Sequence, residues 1–171
     1  FLDMPNVMLR VHQEKVKFGP KGCDEIEFLF STNKGEELKS ISRIASGGEL
    51  SRIMLAIKSV LAEKDEIGTL IFDEIDTGVS GKSAQKIGLK LKSVSKNRQV
   101  LCVTHSAQIA ALAHQQYLIQ KQVEGERTYT RVHLLDEEGR IGEIARIMAT
   151  DKVSDLMLQN AREMLQDGEK Q

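Results

Sequence analysis

Residues 69–105, TLIFDEIDTGVSGKSAQKIGLKLKSVSKNRQVLCVTH, decide how this chain folds. Two short apolar runs, TLIF at 69–72 and VLCV at 100–103, are too short for helices and apolar enough for fully buried strands. Between them Ala84, Ile87, Leu91 and Val94 recur with helical period. Strand, helix, strand within about 35 residues predicts a right-handed crossover unit of a parallel sheet. The expected class is therefore α/β, a mostly parallel sheet with flanking helices.

Upstream, residues 6–12 and 24–31 have strand composition and are separated by the turn Gly19-Pro20-Lys21-Gly22. Leu50, Ile53, Met54, Ile57, Val60 and Leu61 predict an amphipathic helix over 47–63, with that face buried. Downstream, the pattern gives a short helical stretch at 106–113 and a hairpin of 116–122 with 128–135 around Glu124-Gly125-Glu126. Helices at 141–149 and 153–166 close the chain. No linker or repeat divides it, so residues 1–171 are expected to form one lobe.

The 171 residues are 40% apolar and 29% charged, with a formal net charge of −1, enough for one core and without a bulk preference for polyanions. Aromatic residues are 4% and tryptophan is absent, which argues against a base-stacking platform. Cys23 and Cys102 have neither metal nor redox spacing, which fits a reducing, cytoplasmic compartment. No segment is long and apolar enough to cross a bilayer, and the opening is not a signal peptide. Phe1 rather than methionine begins the chain, which reads as a piece of something longer.

Gly81-Lys82-Ser83 spells the end of a phosphate-binding loop, but that loop needs a glycine where this chain has Asp76. Asp73, Glu74 and Asp76 also crowd the approach with negative charge, where an anion wants bare amides or cations. The acids are the feature to explain. In parallel sheets ligands gather beyond the carboxyl ends of the strands. Asp73-Glu74 follows the first apolar run, where one carboxylate could serve Mg²⁺ and the next could take a proton from water; a solvated turn explains both acids as well. Thr104-His105 follows the second run, placing an imidazole within reach of a phosphate or water, or in a purely structural role. His12, His114 and His133 show no ligand spacing with His105, so no zinc site is expected.

Ser46-Gly47-Gly48-Glu49 opens the first helix. Serine followed by glutamate three residues later is a capping box. Paired glycines go beyond what a cap requires, and bare amides at a helix start let an anion come close. Cap and phosphate contact both fit.

Taken together, ASGGELSRIMLAIK, LIFDEIDTGVSGKSAQ and VTHSAQIAA occur in the order found in the second lobe of an ABC-type ATPase head. The wording resembles the SMC-like family of bacterial DNA-repair ATPases, densely from Asp24 to Ala149. That resemblance implies the carboxyl-terminal lobe of a head in the P-loop NTPase superfamily, binding ATP and Mg²⁺. Ser46, Gly47, Gly48 and Glu49 would match the signature motif that meets the γ-phosphate of ATP on the opposite head. Asp73 would match the Walker B aspartate near Mg²⁺, Glu74 the catalytic base and His105 the switch histidine. Asp76, Thr77, Gly78, Val79 and Ser80 would match the D-loop at the interface between heads, although Val79-Ser80 replaces the usual Leu-Asp.

The resemblance also implies partners: the head's own amino-terminal lobe, a second head in a homodimer, and DNA at double-strand breaks, in a bacterial nucleoid and with no membrane. The phosphate loop of such a head is absent from this chain, since no glycine, four residues, Gly-Lys-Ser or Gly-Lys-Thr occurs. By itself the chain is thus expected to bind nucleotide weakly and hydrolyse almost none. From Thr77 to Val123 there is no acid, and Lys82, Lys86 and Lys90 lie on one face of the central helix, either as ordinary solvated surface or as a contact for DNA phosphates. Two further readings compete: an interaction lobe that docks on DNA or a protein with vestigial acids, and an independent nucleotide kinase built on Gly81 to Ser83.

Overall fold

The computed structural model describes every residue except 1, 3, 32–34, 44–45, 62–65, 126 and 171. The order is β1 (Met8–Gly19), β2 (Gly22–Ser31), β3 (Lys39–Ser40), a 3-10 turn at Ile41–Arg43, α1 (Gly47–Val60), β4 (Thr69–Phe72), α2 (Gly81–Val94), β5 (Gln99–Cys102), α3 (Ala107–Ala110), β6 (Tyr117–Glu124), β7 (Arg127–Leu134), α4 (Glu137–Met148) and α5 (Asp155–Lys170). β4 and β5 pair in parallel with Thr69 opposite Gln99 and Phe72 opposite Cys102, and α2 is their crossover. The other described pairs are antiparallel: β1 with β2, β2 with β3, and β6 with β7. The parallel arrangement expected of the whole sheet is thus confined, among the described residues, to the β4–β5 pair.

The face of α2 that the sequence pattern indicated is the face that packs. Ala84, Ile87, Leu91 and Val94 are buried against Leu70, Phe72, Ile75, Leu55 and Ile109. Leu55, Ile75 and Ile87 are fully buried, each contributing about 1.5–3 kcal/mol. Gly88 belongs to this contact, because a Cβ there would stand 2.6 Å from Leu112 Cδ1 and 3.4 Å from Ile109 Cα. A second core joins Ala107, Ala110 and Ala111 of α3 and its following turn to Ile141, Ile144 and Ala145 of α4 and Ala161 and Leu165 of α5. Gly168 lets α5 close on α3, since a Cβ there would meet Ala111 O at 2.5 Å.

Several expectations need correction. The two apolar runs are half-covered strands, not fully buried ones: Leu70 and Phe72 face α2, while Ile71 is 70% exposed and Leu101 46% exposed on the other face. α1 ends at Val60, which is 84% exposed, and residues 62–63 of the expected helix lie outside the described residues. Its buried positions are Gly48, Arg52, Ile53 and Leu55, because the helix docks through its first two turns on the loop after β4. α4 starts at Glu137 rather than 141, since Asp136 caps it by accepting from the Gly139 amide at 2.8 Å ahead of its apolar stripe. The hairpin strands pair over 117–124 and 127–134 rather than 116–122 and 128–135, and residue 126 lies outside the described residues.

Candidate functional site

The loop from Asp73 to Ser80 leaves the end of β4 and is clamped from two sides. On one side lies the start of α1. Ser51 Oγ donates to Asp73 O at 2.8 Å, and Arg52 Nη1 donates to Ile75 O at 3.2 Å and Thr77 O at 2.9 Å. Gly48 sits directly against the loop: a Cβ there would stand 2.9 Å from Glu74 O and 3.0 Å from Thr77 O. At Gly47 a Cβ would come within 3.0 Å of Glu74 Oε2, so the Glu74 carboxylate lies over the glycine pair. Ser46 caps α1, its Oγ accepting from the Glu49 amide at 3.5 Å, one arm of the expected capping box. The bare amides of this helix start carry partial positive charge facing that carboxylate.

Glu74 itself has φ 55°, a left-handed conformation that costs a non-glycine residue about 1–2 kcal/mol. The turn that holds it is closed by Thr77 N donating to Glu74 O at 3.1 Å. The strained residue is an exposed acid at a strand end.

On the other side lies the end of β5. Val103 N donates to Phe72 O at 2.9 Å, extending the parallel ladder to the strand ends. Beyond it Asp76 Oδ2 accepts from Thr104 Oγ1 at 2.6 Å and from the His105 amide at 3.0 Å, and stands 3.3 Å from His105 Nδ1. Asp76 is buried, whereas the His105 side chain is 79% exposed. A small pocket of about 180 Å³ opens here, lined by Asp76, Val79, Gly81, Ala84, His105, Ser106 and Gln108.

The residues picked out by pattern therefore divide as follows. Gly47 and Gly48, at a helix start capped by Ser46 through the Glu49 amide, meet Glu74 at one end of the loop, and His105 meets Asp76 at the other, all at the carboxyl rim of β4 and β5. Of the interface-loop residues Thr77, Gly78 and Ser80 are exposed, with Gly78 at φ 75°, but Val79 packs on the core and Asp76 turns inward. Gly81, Lys82 and Ser83 form the first turn of α2. Lys82 and Lys86 are exposed and Lys90 half-buried on the outer side of α2. Pattern reading missed Ser51, Arg52 and Thr104; their signal is a hydroxyl or cation placed where it reaches carbonyls or a carboxylate on the loop after β4.

The rim is electronegative. Burial, then the charges of Asp76 and Asp73, push the Cys102 thiol from an ordinary 9.0 up to about 12. At pH 8 it is overwhelmingly protonated, so iodoacetamide is expected to alkylate Cys23 in the folded chain and spare Cys102, as peptide mapping by mass spectrometry would read. Because the raised value favours the protonated form in the fold, this contribution to stability is complete below pH 9.0 and is lost as pH rises towards about 12.

Among the described residues no three histidine, cysteine, aspartate or glutamate side chains converge into a metal cage. That arrangement suits Mg²⁺ only where one carboxylate and substrate phosphates share the ion, as Mg²⁺ commonly permits. Asp73, exposed at the end of β4, is a hard oxygen donor of that kind.

No family model matches the chain. It is 46% identical over 159 residues to the DNA repair protein RecN of Bacillus subtilis, and 46% identical over 157 residues to RecN of Treponema pallidum. Over this stretch the chain is similar to RecN proteins. The matches cover 93% and 92% of the chain but 28% and 27% of those RecN proteins, so the chain spans little more than a quarter of the length of the relatives it matches. Among solved structures, the Smc head domain with a coiled coil and joint from Pyrococcus yayanosii aligns with TM-score 0.57 and 21% identity, over 85% of this chain and 27% of that one. A chain from work on ATP-driven dimerization and DNA-stimulated activation of SMC ATPases aligns with TM-score 0.50 and 20% identity, over 86% of this chain and 85% of that one. The fold is that of an SMC-type ATPase head lobe.

Proposed function

We propose that this lobe supplies half of a composite ATP-binding and hydrolysis site in a DNA double-strand-break repair ATPase. The observation that carries the proposal is the clamped loop: one eight-residue turn holds Glu74 against the glycine pair and Asp76 against His105 at a single rim. Asp73 would hold Mg²⁺, which would supply positive charge to offset that on the phosphates. Glu74 accepts the proton of the attacking water, a role that needs an exposed carboxylate able to turn outward from Gly47. His105 offers a ring nitrogen to the terminal phosphate or the water. Ser46, Gly47, Gly48 and Glu49 present amides and a hydroxyl to the γ-phosphate of ATP on a second head. Thr77 to Ser80 lie between the two heads, with Asp76 as their anchor rather than a contact.

The ATP phosphates need a glycine-lysine loop from the head's amino-terminal lobe. Adding that lobe to the present chain is expected to restore ATP turnover to a mixture in which neither part alone turns over. No turnover in a well-folded mixture favours instead a non-catalytic lobe that docks on DNA or a protein. An independent kinase at Gly81 to Ser83 would require Lys82→Ala to abolish nucleotide binding by this chain; no effect is expected, because Asp76 stands where that loop needs a glycine.

DNA is the proposed partner of the assembled protein, which is expected in the bacterial cytoplasm with the nucleoid. Lys82, Lys86 and Lys90 are the candidate phosphate contacts. Reversing charge at Lys86 and Lys90 in the full-length protein is expected to flatten the dependence of DNA affinity on salt by about one to two units of slope, read by fluorescence anisotropy across a salt series. An unchanged slope assigns the stripe to ordinary surface.

A further inference from the structure

We propose that Asp76 is a positioning residue: its carboxylate selects the His105 tautomer that carries the proton on Nδ1 and so presents a bare Nε2 outward. The inference rests on the ATPase reading above for its purpose, but not for its geometry.

Asp76 is 4% exposed, a placement that costs a carboxylate several kcal/mol unless donors surround it. The donors are all on one oxygen. Oδ2 takes Thr104 Oγ1 at 2.6 Å and the His105 amide at 3.0 Å, with Nδ1 at 3.3 Å, while Oδ1 is buried and has no partner among the described residues. A strut joining the ends of β4 and β5 would require only the first two contacts. The third is a close electrostatic contact that turns the Nδ1 side of an imidazole, itself 79% exposed, toward the carboxylate. Which nitrogen of a neutral imidazole bears the proton is set by the partner of the other, and a carboxylate oxygen accepts but cannot donate. Facing Oδ2, Nδ1 must carry hydrogen, and the outward Nε2 is then an acceptor, suited to a water proton.

The second clamp fixes Asp76 in turn. Arg52 Nη1 binds the carbonyls on both flanks, Ile75 O and Thr77 O, and the Ser106 amide donates to Thr104 Oγ1 at 3.0 Å, so that the hydroxyl hydrogen is turned to Asp76. Of these groups the sequence pattern marked only Asp76 and Thr77 for a role, both as residues of an interface loop.

Two measurements test this. Histidine ¹⁵N shifts of the chain at neutral pH are expected to show His105 protonated on Nδ1, and Asp76→Asn is expected to shift it toward the Nε2-protonated form; wild-type His105 protonated on Nε2 overturns the proposal without reference to turnover. In the full-length protein, Asp76→Asn is expected to lower kcat about tenfold or more with little change in KM for ATP, and to have no further effect on top of His105→Ala. If His105→Ala slows turnover and Asp76→Asn adds its full loss to it, the positioning role fails while the ATPase reading stands. If His105→Ala leaves turnover unchanged, it is the histidine's part in hydrolysis that fails, and the nitrogen shifts alone decide on Asp76. Thr104→Val controls for a strut: it removes the 2.6 Å bond, and is expected to lower the melting temperature without moving the His105 tautomer.

Discussion

Replacing Glu74 with glutamine in the full-length protein is expected to lower ATP turnover about a hundredfold or more while ATP affinity stays within a factor of two or so. Glutamine keeps the size of the side chain and its place over Gly47 but cannot accept a proton from water. The backbone cost of φ 55° is common to both residues, so the fold is expected to melt at the same temperature. Rapid-quench turnover together with equilibrium binding of a fluorescent ATP analogue separates the effects. Equal losses in binding and turnover would make Glu74 a binding residue.

The second large effect is expected at Gly48. An alanine Cβ there would stand 2.9 Å from Glu74 O, 3.0 Å from Thr77 O and 3.1 Å from Thr77 Cβ. Two of these neighbours are backbone atoms of a turn already held by Ser51 and Arg52, so neither can give way cheaply. Gly48→Ala is therefore expected to cost about 1–3 kcal/mol, a fall of several degrees in Tm, and to displace α1 from the loop after β4. Gly47→Ala meets only the far end of the Glu74 side chain, and is expected to fold normally. Gly168→Ala, pressed against Ala111 O at the far side of the molecule, supplies the control: a comparable loss of stability with turnover per folded molecule unchanged. Calorimetry of the three variants beside their turnover distinguishes a glycine needed for packing from one that serves the rim.

The crossover unit was legible because its signals are local. TLIF and VLCV are bounded by turn residues, and the helix between them repeats its apolar side chains with a period that no strand shares. Which strand faces are covered was not legible, since Ile71 and Leu101 are as apolar as the buried Leu70 and Phe72 and only the arrangement of α2 tells them apart. The start of α4 was obscured because its first turn is acidic and capped by Asp136, ahead of the apolar stripe that began the reading. Within the site, the order of glycines, acids and histidine could be read along the chain. The inward turn of Asp76 could not, because three acids within four positions look alike until the turn at Glu74 sends Asp76 beneath Thr104. The clue available was the Thr104-His105 pair itself, two donors placed one after the other at the end of the neighbouring strand.

Subunit mixing tests most directly whether two heads share each ATP. Full-length Glu74→Gln protein and full-length Ser46→Arg protein, each almost inactive alone, are mixed in equal amounts and allowed to exchange subunits. A shared site puts both lesions in one half of each mixed dimer and leaves the other half intact, so turnover is expected to recover to about a quarter of the wild-type value. A mixture that exchanges subunits yet stays as inactive as its components would contradict the composite site.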